Sequence, residues 1–347
     1  MLTFVRNRAT NILALVLGLF FKIGGTSSRV IDILSNAGVC VAFDTIERLK
    51  VVISNDAVQR AVGLLAGGDP CYVIFDNINL YLRKSQQRVF NKNSMLNVTN
   101  AAVIGLTNVD PNFTNLKAKL DLRGKRINAT VEDILPTSAD EDHLMASFTA
   151  SIAQFLVSYT PGNDKWNGRK EMAKAVAAMM PQDRPLPPEK SNACPFGVFD
   201  VDEGAKKGII KLFKAMQERS GMSEEQWAGK NRIMEGDWLS SNNTRAAKRD
   251  RANDIDTMER LDYVDELSAL WHFALNATHM IMRTHLGNAV LDPTGLAAHK
   301  GMLHRVWDVN KPNYAEAKSL IRHSLIARIL HCVMFAILFS ALLSFDD

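Results

Sequence analysis

The stretch CYVIFDNINLY, Cys71 to Tyr81, carries an apolar run into Asp76, Asn77 and Asn79. Bounded by Gly67-Gly68-Asp69-Pro70, the run reads as a short buried strand over Cys71 to Phe75. A carboxylate at the mouth of such a strand is either an Asx-turn former or a metal ligand. Asp237 repeats the situation after Ile233-Met234. Basic residues follow both acids: Arg83 and Lys84 after the first, and Arg245, Lys248 and Arg249 after the second. The last three share one helix face at i, i+3 and i+4, which suits phosphate and equally suits a solvated face paired with Asp250 and Asp254. Asp200, Asp202 and Glu203 could hold a cation but lack the spacing of a calcium loop, so a turn with a capped helix is expected there. His272 and His279 are seven apart, about 10 Å along a helix, too far to share one zinc easily. His285 does not improve that geometry, and packed histidines are expected. No nucleophile elbow, P-loop or dinucleotide fingerprint is present in the sequence.

The elements that would position these residues follow from periodicity. Residues 2 to 66 read as helical. Ser27 or Ser28 can cap one helix, Asn36-Ala37-Gly38 can turn, and Asp44 can cap a second. That is a helix-turn-helix pattern with only Arg48 and Lys50 as basic residues on its second helix. The stretch SMLNVTNAAVIGL supplies further, antiparallel β structure. Residues 140 to 180 return to helix, with Asp140, Glu141 and Asp142 at its favoured end. Five of the eleven prolines lie between Pro181 and Pro195, a linker or rigid excursion. FGVFDVDEGAKKGIIKLF gives strand, acidic turn and helix. Ser240 or Ser241 can cap the basic helix, and ERLDYVDELSALWHFALNATHMIMRTHLG reads as one long apolar helix.

Bulk properties bound the rest. The chain has 347 residues, 47% hydrophobic and 22% charged, enough to bury a sizeable core in two or three domains. A net charge of +4 permits a nucleic-acid partner without demanding one. The four cysteines are scattered, with no CxxC, so buried free thiols are expected rather than disulfides or a zinc ribbon. Arg6 and Arg8 before the run Ile12 to Phe21 imitate a signal peptide, but Lys22 and a Gly-Gly pair interrupt it, and a core helix is favoured. Residues 329 to 345 are apolar except for His331, Ser340 and Ser344, with Arg322 and Arg328 before them. That run is at the lower length limit for a membrane span, and a span and a core helix are equally expected.

Taken together, LTFVRNRATNILALVLGLFFKIGGTSSRVIDILSNAGV, IFDNINLYLRKSQQRVFNKNSMLN, MMPQDRPLPP, PFGVFDVDEGAKKGI, GDWLSSNN and ERLDYVDELSALWHFALNATHM resemble the fungal domain of unknown function 6589, as does the stretch from HLGNAV to LIAR. The resemblance runs to about Met334, beyond which FAILFSALLSFDD departs from the pattern. Members of that family are usually longer at both ends, so a truncated chain is expected.

The family's layout implies a transposon origin and a ribonuclease-H-like core. GDWLSSNN followed by LWHFALNATHM is loosely similar to the second-acid region of hAT-type transposases. On that resemblance Asp76 and Asp237 are the first two catalytic acids and hold Mg²⁺ or Mn²⁺, with Glu266 as a weak substitute for the third. Arg83, Lys84, Arg245, Lys248 and Arg249 would meet DNA phosphates. Without a third acid, an inactive remnant is expected. The expected fold is α+β and helix-rich: a helix-turn-helix-like segment over 1–66, a mixed-sheet domain with helical insertions over 67–328 including the proline-rich excursion at 181–195, and an apolar tail over 329–347. The alternatives are a non-catalytic nucleic-acid-binding scaffold and a tail-anchored membrane protein. Location is accordingly nuclear or cytoplasmic, or a membrane through a single C-terminal span.

Overall fold

The computed structural model describes residues 11–84, 92–181, 189–308 and 313–343. In chain order these form α1 (Ile12–Ile23), α2 (Ser28–Asn36), α3 (Phe43–Gly67), β1 (Cys71–Leu82), β2 (Ser94–Gly105), α4 (Leu116–Lys125), α5 (Ser138–Tyr159), α6 (Arg169–Met179) and β3 (Asn192–Phe199). There follow α7 (Lys206–Ser220), α8 (Glu224–Ala228), β4 (Arg232–Gly236), α9 (Trp238–Asp250), α10 (Thr257–Arg260), β5 (Val264–Ser268), α11 (Leu270–His285), α12 (Leu296–Met302) and α13 (Tyr314–Leu343). The fold is helix-rich α+β, with a helical N-terminal region, a central mixed sheet and an apolar C-terminal helix. It divides into two compact units, residues 1–121 with 190–268 and residues 122–189 with 269–347.

The first unit holds the sheet, in the order β3-β2-β1-β4-β5. β1 pairs antiparallel with β2 along its whole length, and β2 with β3. β4 runs parallel to β1, and β5 parallel to β4. Asp76 therefore does not end its strand. The strand runs on to Leu82 because every residue of β1 has a partner on β2, Asp76 opposite Asn100 and Asn77 opposite Thr99. The proline-rich stretch ends inside β3, at the sheet's edge. There Pro195 pairs with Ala102 and Gly197 with Ala101, so Phe196 is bulged out of the ladder, the kind of place where a strand tolerates proline. The bulged Phe196 is fully buried.

Alternation places Val73, Phe75, Ala101, Val103 and Met234 on the face that packs with Ile209, Leu212, Phe213 and Met216 of α7 and with Ala61 and Leu65 of α3. The α7 residues recur at the three-to-four-residue spacing of one helix face. In the N-terminal region Ser27 does cap α2, its hydroxyl accepting from the Val30 amide. The N-cap of α3 is Ala42 rather than Asp44, which sits in the first turn and favours the helix dipole from there.

The second unit is helical. Thr137 and Asp140 form a reciprocal capping box at the start of α5. The first half of α13 packs through Ala317 and Leu320 against Met282 of α11 and Leu296 of α12. Arg322 donates to the Tyr159 hydroxyl at 3.3 Å, and Arg328 to the Thr294 carbonyl at 2.6 Å. Past that point Met334, Phe335 and Ile337 are exposed. Over Tyr314–Ile337, 24 residues, α13 is long and apolar enough by length and composition to cross a membrane. This window begins fifteen residues earlier than the apolar tail alone indicates. The long apolar helix expected from Glu259 onward is in fact the end of α10, then β5 and α11. The strand is defined by its partner: Arg232 to Gly236 pair with Val264 to Ser268 residue by residue.

All four cysteines are free. Cys40 and Cys194 are buried and Cys71 is half-buried, whereas Cys332 is exposed on α13.

Candidate functional site

The ladder between β1 and β4 ends at Ile74 opposite Glu235. Asp76 and Asp237 each lie two residues beyond that pair, on strands about 4.8 Å apart. The register that aligns β1 with β4 thus sets the two acids at matching positions beyond the end of the ladder. Asp76 is exposed, and its Oδ1 accepts from the Asn77 amide at 2.9 Å. Asp237 is the N-cap of α9, its Oδ1 accepting from the Ser240 amide at 2.6 Å. The cap is Asp237 itself, not Ser240 or Ser241. Gly236 admits this tight passage from strand to helix: a Cβ there would lie 3.0 Å from that of Ser240 and 3.1 Å from the Phe75 ring.

A third acid joins them. Glu203 sits in the turn between β3 and α7, only 3% exposed. Its Oε2 is buried without a hydrogen-bond partner. Burial first, then the charges of Asp76 and Asp237 and that of Asp202, push its carboxyl up to about 8, against a single hydrogen bond from Ser240. The turn is the expected one, with Asp202 accepting from the Gly204 amide at 2.9 Å, but the helix after it is not capped by a side chain: its N-cap is Ala205. Thr99 of β2 pins it by donating to the Val201 carbonyl at 2.7 Å, and Gly208 lets it press on α7. A Cβ at Gly208 would fall 1.7 Å from the Asp202 carbonyl oxygen. Local spacing makes Glu203 a turn residue in the sequence, although the Asp200, Asp202 and Glu203 cluster could hold a cation. The signal that could have found it is the glycine at 208, which marks a close backbone approach.

Glu266 lies elsewhere. It is on β5 opposite Met234, held by the Lys248 ammonium and by Arg245 Nε at 3.2 Å. Burial pulls its carboxyl up, but Lys248, by charge and hydrogen bond, and Arg245 bring it below the usual range. Lys248 is itself buried and also donates to the Val264 carbonyl at 2.5 Å. The same carbonyl takes Lys119 Nζ at 2.7 Å. Burial, and then Lys248, draw Lys119 down to about 8. Arg249 is exposed, and Asp250 pairs with Lys206. Arg83 and Lys84 are exposed past the end of β1, about 23 Å along the strand from Asp76. The Lys84 amide donates to Asn93 Oδ1 at 2.8 Å.

Among the described residues, no three His, Cys, Asp or Glu side chains are gathered closely enough to hold a metal ion. Glu203 feels the charges of Asp76 and Asp237, but the three do not converge on a single point. An unsatisfied buried carboxyl oxygen beside two further carboxylates is nonetheless the donor chemistry of a hard divalent cation.

No curated protein and no solved structure matches the chain. The family model described as "Family of unknown function (DUF6589)" matches residues 123–346, well over half of the chain. The match runs through the C-terminal segment, so the departure expected after Met334 does not occur. It takes in Glu203 and Asp237 and begins after Asp76. On this match the chain belongs to the DUF6589 family.

Proposed function

We propose that the first unit is a ribonuclease-H-like core for metal-dependent phosphoryl transfer on nucleic acid, of transposon origin, with Asp76, Asp237 and Glu203 as its acids. The observation that carries the reading is the register of β1 and β4, which sets Asp76 and Asp237 at matching positions two residues past the last pair, with the buried Glu203 carboxyl feeling both charges. A mixed sheet with the first acid on its first strand and the second just after a later strand supports it. Glu203 takes the third place in this reading, since Glu266 is already tied to two cations.

Asp76 and Asp237 would present carboxylate oxygens to Mg²⁺ or Mn²⁺, which when bound would activate water and neutralise charge on a phosphodiester. Glu203 holds a proton at neutral pH and must surrender it before its oxygens can serve a cation, so binding should release a proton. Arg249, Arg83 and Lys84 are exposed and would be available to phosphates, the latter two some way along β1 from Asp76, while Lys248 and Arg245 hold Glu266.

The test is Mn²⁺ titration of the full chain by calorimetry in two buffers of different ionisation heat. Saturable binding with proton release, weakened at least tenfold in both Asp76→Asn and Asp237→Asn, supports the reading. Binding indifferent to both changes sinks it. A labelled-DNA cleavage assay under the same conditions then separates an active core from an inactive remnant or a non-catalytic scaffold.

A second reading rests on α13. Its outer half exposes Met334, Phe335 and Ile337, which suits a tail anchor at a membrane. Flotation with phosphatidylcholine vesicles checks it: an anchor floats, and loses flotation when Phe335 and Ile337 are both changed to Lys.

A further inference from the structure

The opposite end of β1 and β4 has the opposite charge. Arg232 opens β4 and is 6% exposed. Its Nε donates to the Trp227 carbonyl at 2.8 Å, its Nη2 to the Met222 sulfur at 3.4 Å, and the guanidinium lies 4.0 Å over the Trp227 ring. None of these partners carries a negative charge. The ionisable groups that bear on Arg232 are the Cys71 thiol and the Tyr263 phenol, and neither is a carboxylate. Burial, with those two pulling the other way, draws it down only to about 10, so it is cationic at neutral pH. A cation out of water without a counter-ion is strongly unfavourable, and an anion from outside would offset that.

Space for one exists. Arg232 lines a cavity of about 420 Å³, within the range of small-molecule sites. Lys230 also lines it, and Leu65, Ala66 and Met222 supply apolar lining. Glu225 also lines it, with the Ser223 hydroxyl donating to its Oε2 at 3.3 Å. That carboxylate disfavours a dianion such as phosphate. A carboxylate group matches the planar guanidinium fork, and an apolar body matches the Leu65, Ala66 and Met222 lining.

We propose that this cavity binds a small monocarboxylate with an apolar body, the carboxylate paired with Arg232 and Lys230 and the body against Leu65, Ala66 and Met222. The site is independent of the acids at the other end of the strands.

The test is calorimetric titration of the full chain with sodium hexanoate, 1-hexanol and inorganic phosphate. Hexanoate should bind saturably, at least tenfold tighter than either of the others. Arg232→Lys should weaken it about tenfold by removing the fork. If that variant misfolds, Ala66→Trp serves instead: the exposed Ala66 is on the cavity wall, and the larger side chain should abolish binding with an unchanged circular dichroism melt. Absence of hexanoate binding overturns the proposal, as does equal binding of hexanol, equal binding of phosphate, or binding that survives Ala66→Trp.

Discussion

Glu203 and Glu266 occupy two corners of one sheet unit, both largely buried, and their carboxyls move in opposite directions. Glu266 meets Lys248 and Arg245 and stays ionised. Glu203 meets Asp76 and Asp237 and holds its proton to about 8. Burial is the largest influence on each, so the neighbours decide the outcome. A buried carboxylate with two cations is scaffolding for the β5 edge. One placed among other acids, with an oxygen left unsatisfied, is an arrangement that folding alone does not favour. That difference locates the candidate site better than any local motif does.

Removing the cation from the scaffolding corner should have the largest effect. Lys248→Met leaves Glu266 largely buried with the half-exposed Arg245 and the more distant charge of Lys119, and about 3–5 kcal/mol of stability should be lost. Urea unfolding near pH 7 measures it. A loss under 1 kcal/mol would mean that Glu266 finds solvent and that the two corners differ less than their surroundings indicate.

The reverse change at the other corner should stabilise. With a chelator present, a carboxyl raised to about 8 makes the folded state hold a proton that the unfolded chain gives up near 4.5. Stability should fall as pH rises between those values, by up to about 1.4 kcal/mol per unit, and level off above. Glu203→Gln should flatten that segment and be more stable than the parent by about 2 kcal/mol at pH 8.5. Mn²⁺ should reverse the order, stabilising the parent and not the variant. Parallel pH profiles for the two proteins would remove Glu203 from the site.

Much of the first corner is legible in the sequence. Asp76 follows a β-branched and aromatic run, Asp237 follows Ile233-Met234, and each stands where strand pattern gives way to polar residues. The continuation of β1 past Asp76 is not legible, because it depends on β2, whose partner residues begin only at Ser94. Glu203 is hidden for the same reason: the charges that shift it belong to residues 127 and 34 positions away. β5 is hidden by its neighbourhood. Five residues with Asp265 and Glu266 at their centre carry little strand propensity, and an apolar helix follows at once. Parallel pairing with β4 makes it a strand, and local periodicity cannot report a partner 32 residues away.

Gly208 tests whether the acidic corner is held in place or is incidental. Gly208→Ala puts a methyl group against the Asp202 carbonyl, so the turn must shift, at about 1–3 kcal/mol. If Glu203 belongs to a cation site, Mn²⁺ affinity should drop several-fold in this variant although every acid remains. An unchanged affinity with reduced stability would make the close approach purely structural.

Arg245→Ala should have the smallest effect, and its smallness is informative. The Arg245 side chain is 51% exposed and reaches Glu266 at 3.2 Å, whereas Lys248 is 8% exposed. Solvent screens the first pair and not the second, so Arg245→Ala should cost about 0.5 kcal/mol, and less in 1 M salt. The Lys248→Met loss should barely respond to salt. If the two losses were equal and equally salt-sensitive, both cations would be surface partners, and Glu266 would become as available for a cation as Glu203. The contrast between the corners therefore rests on the depth of a single lysine.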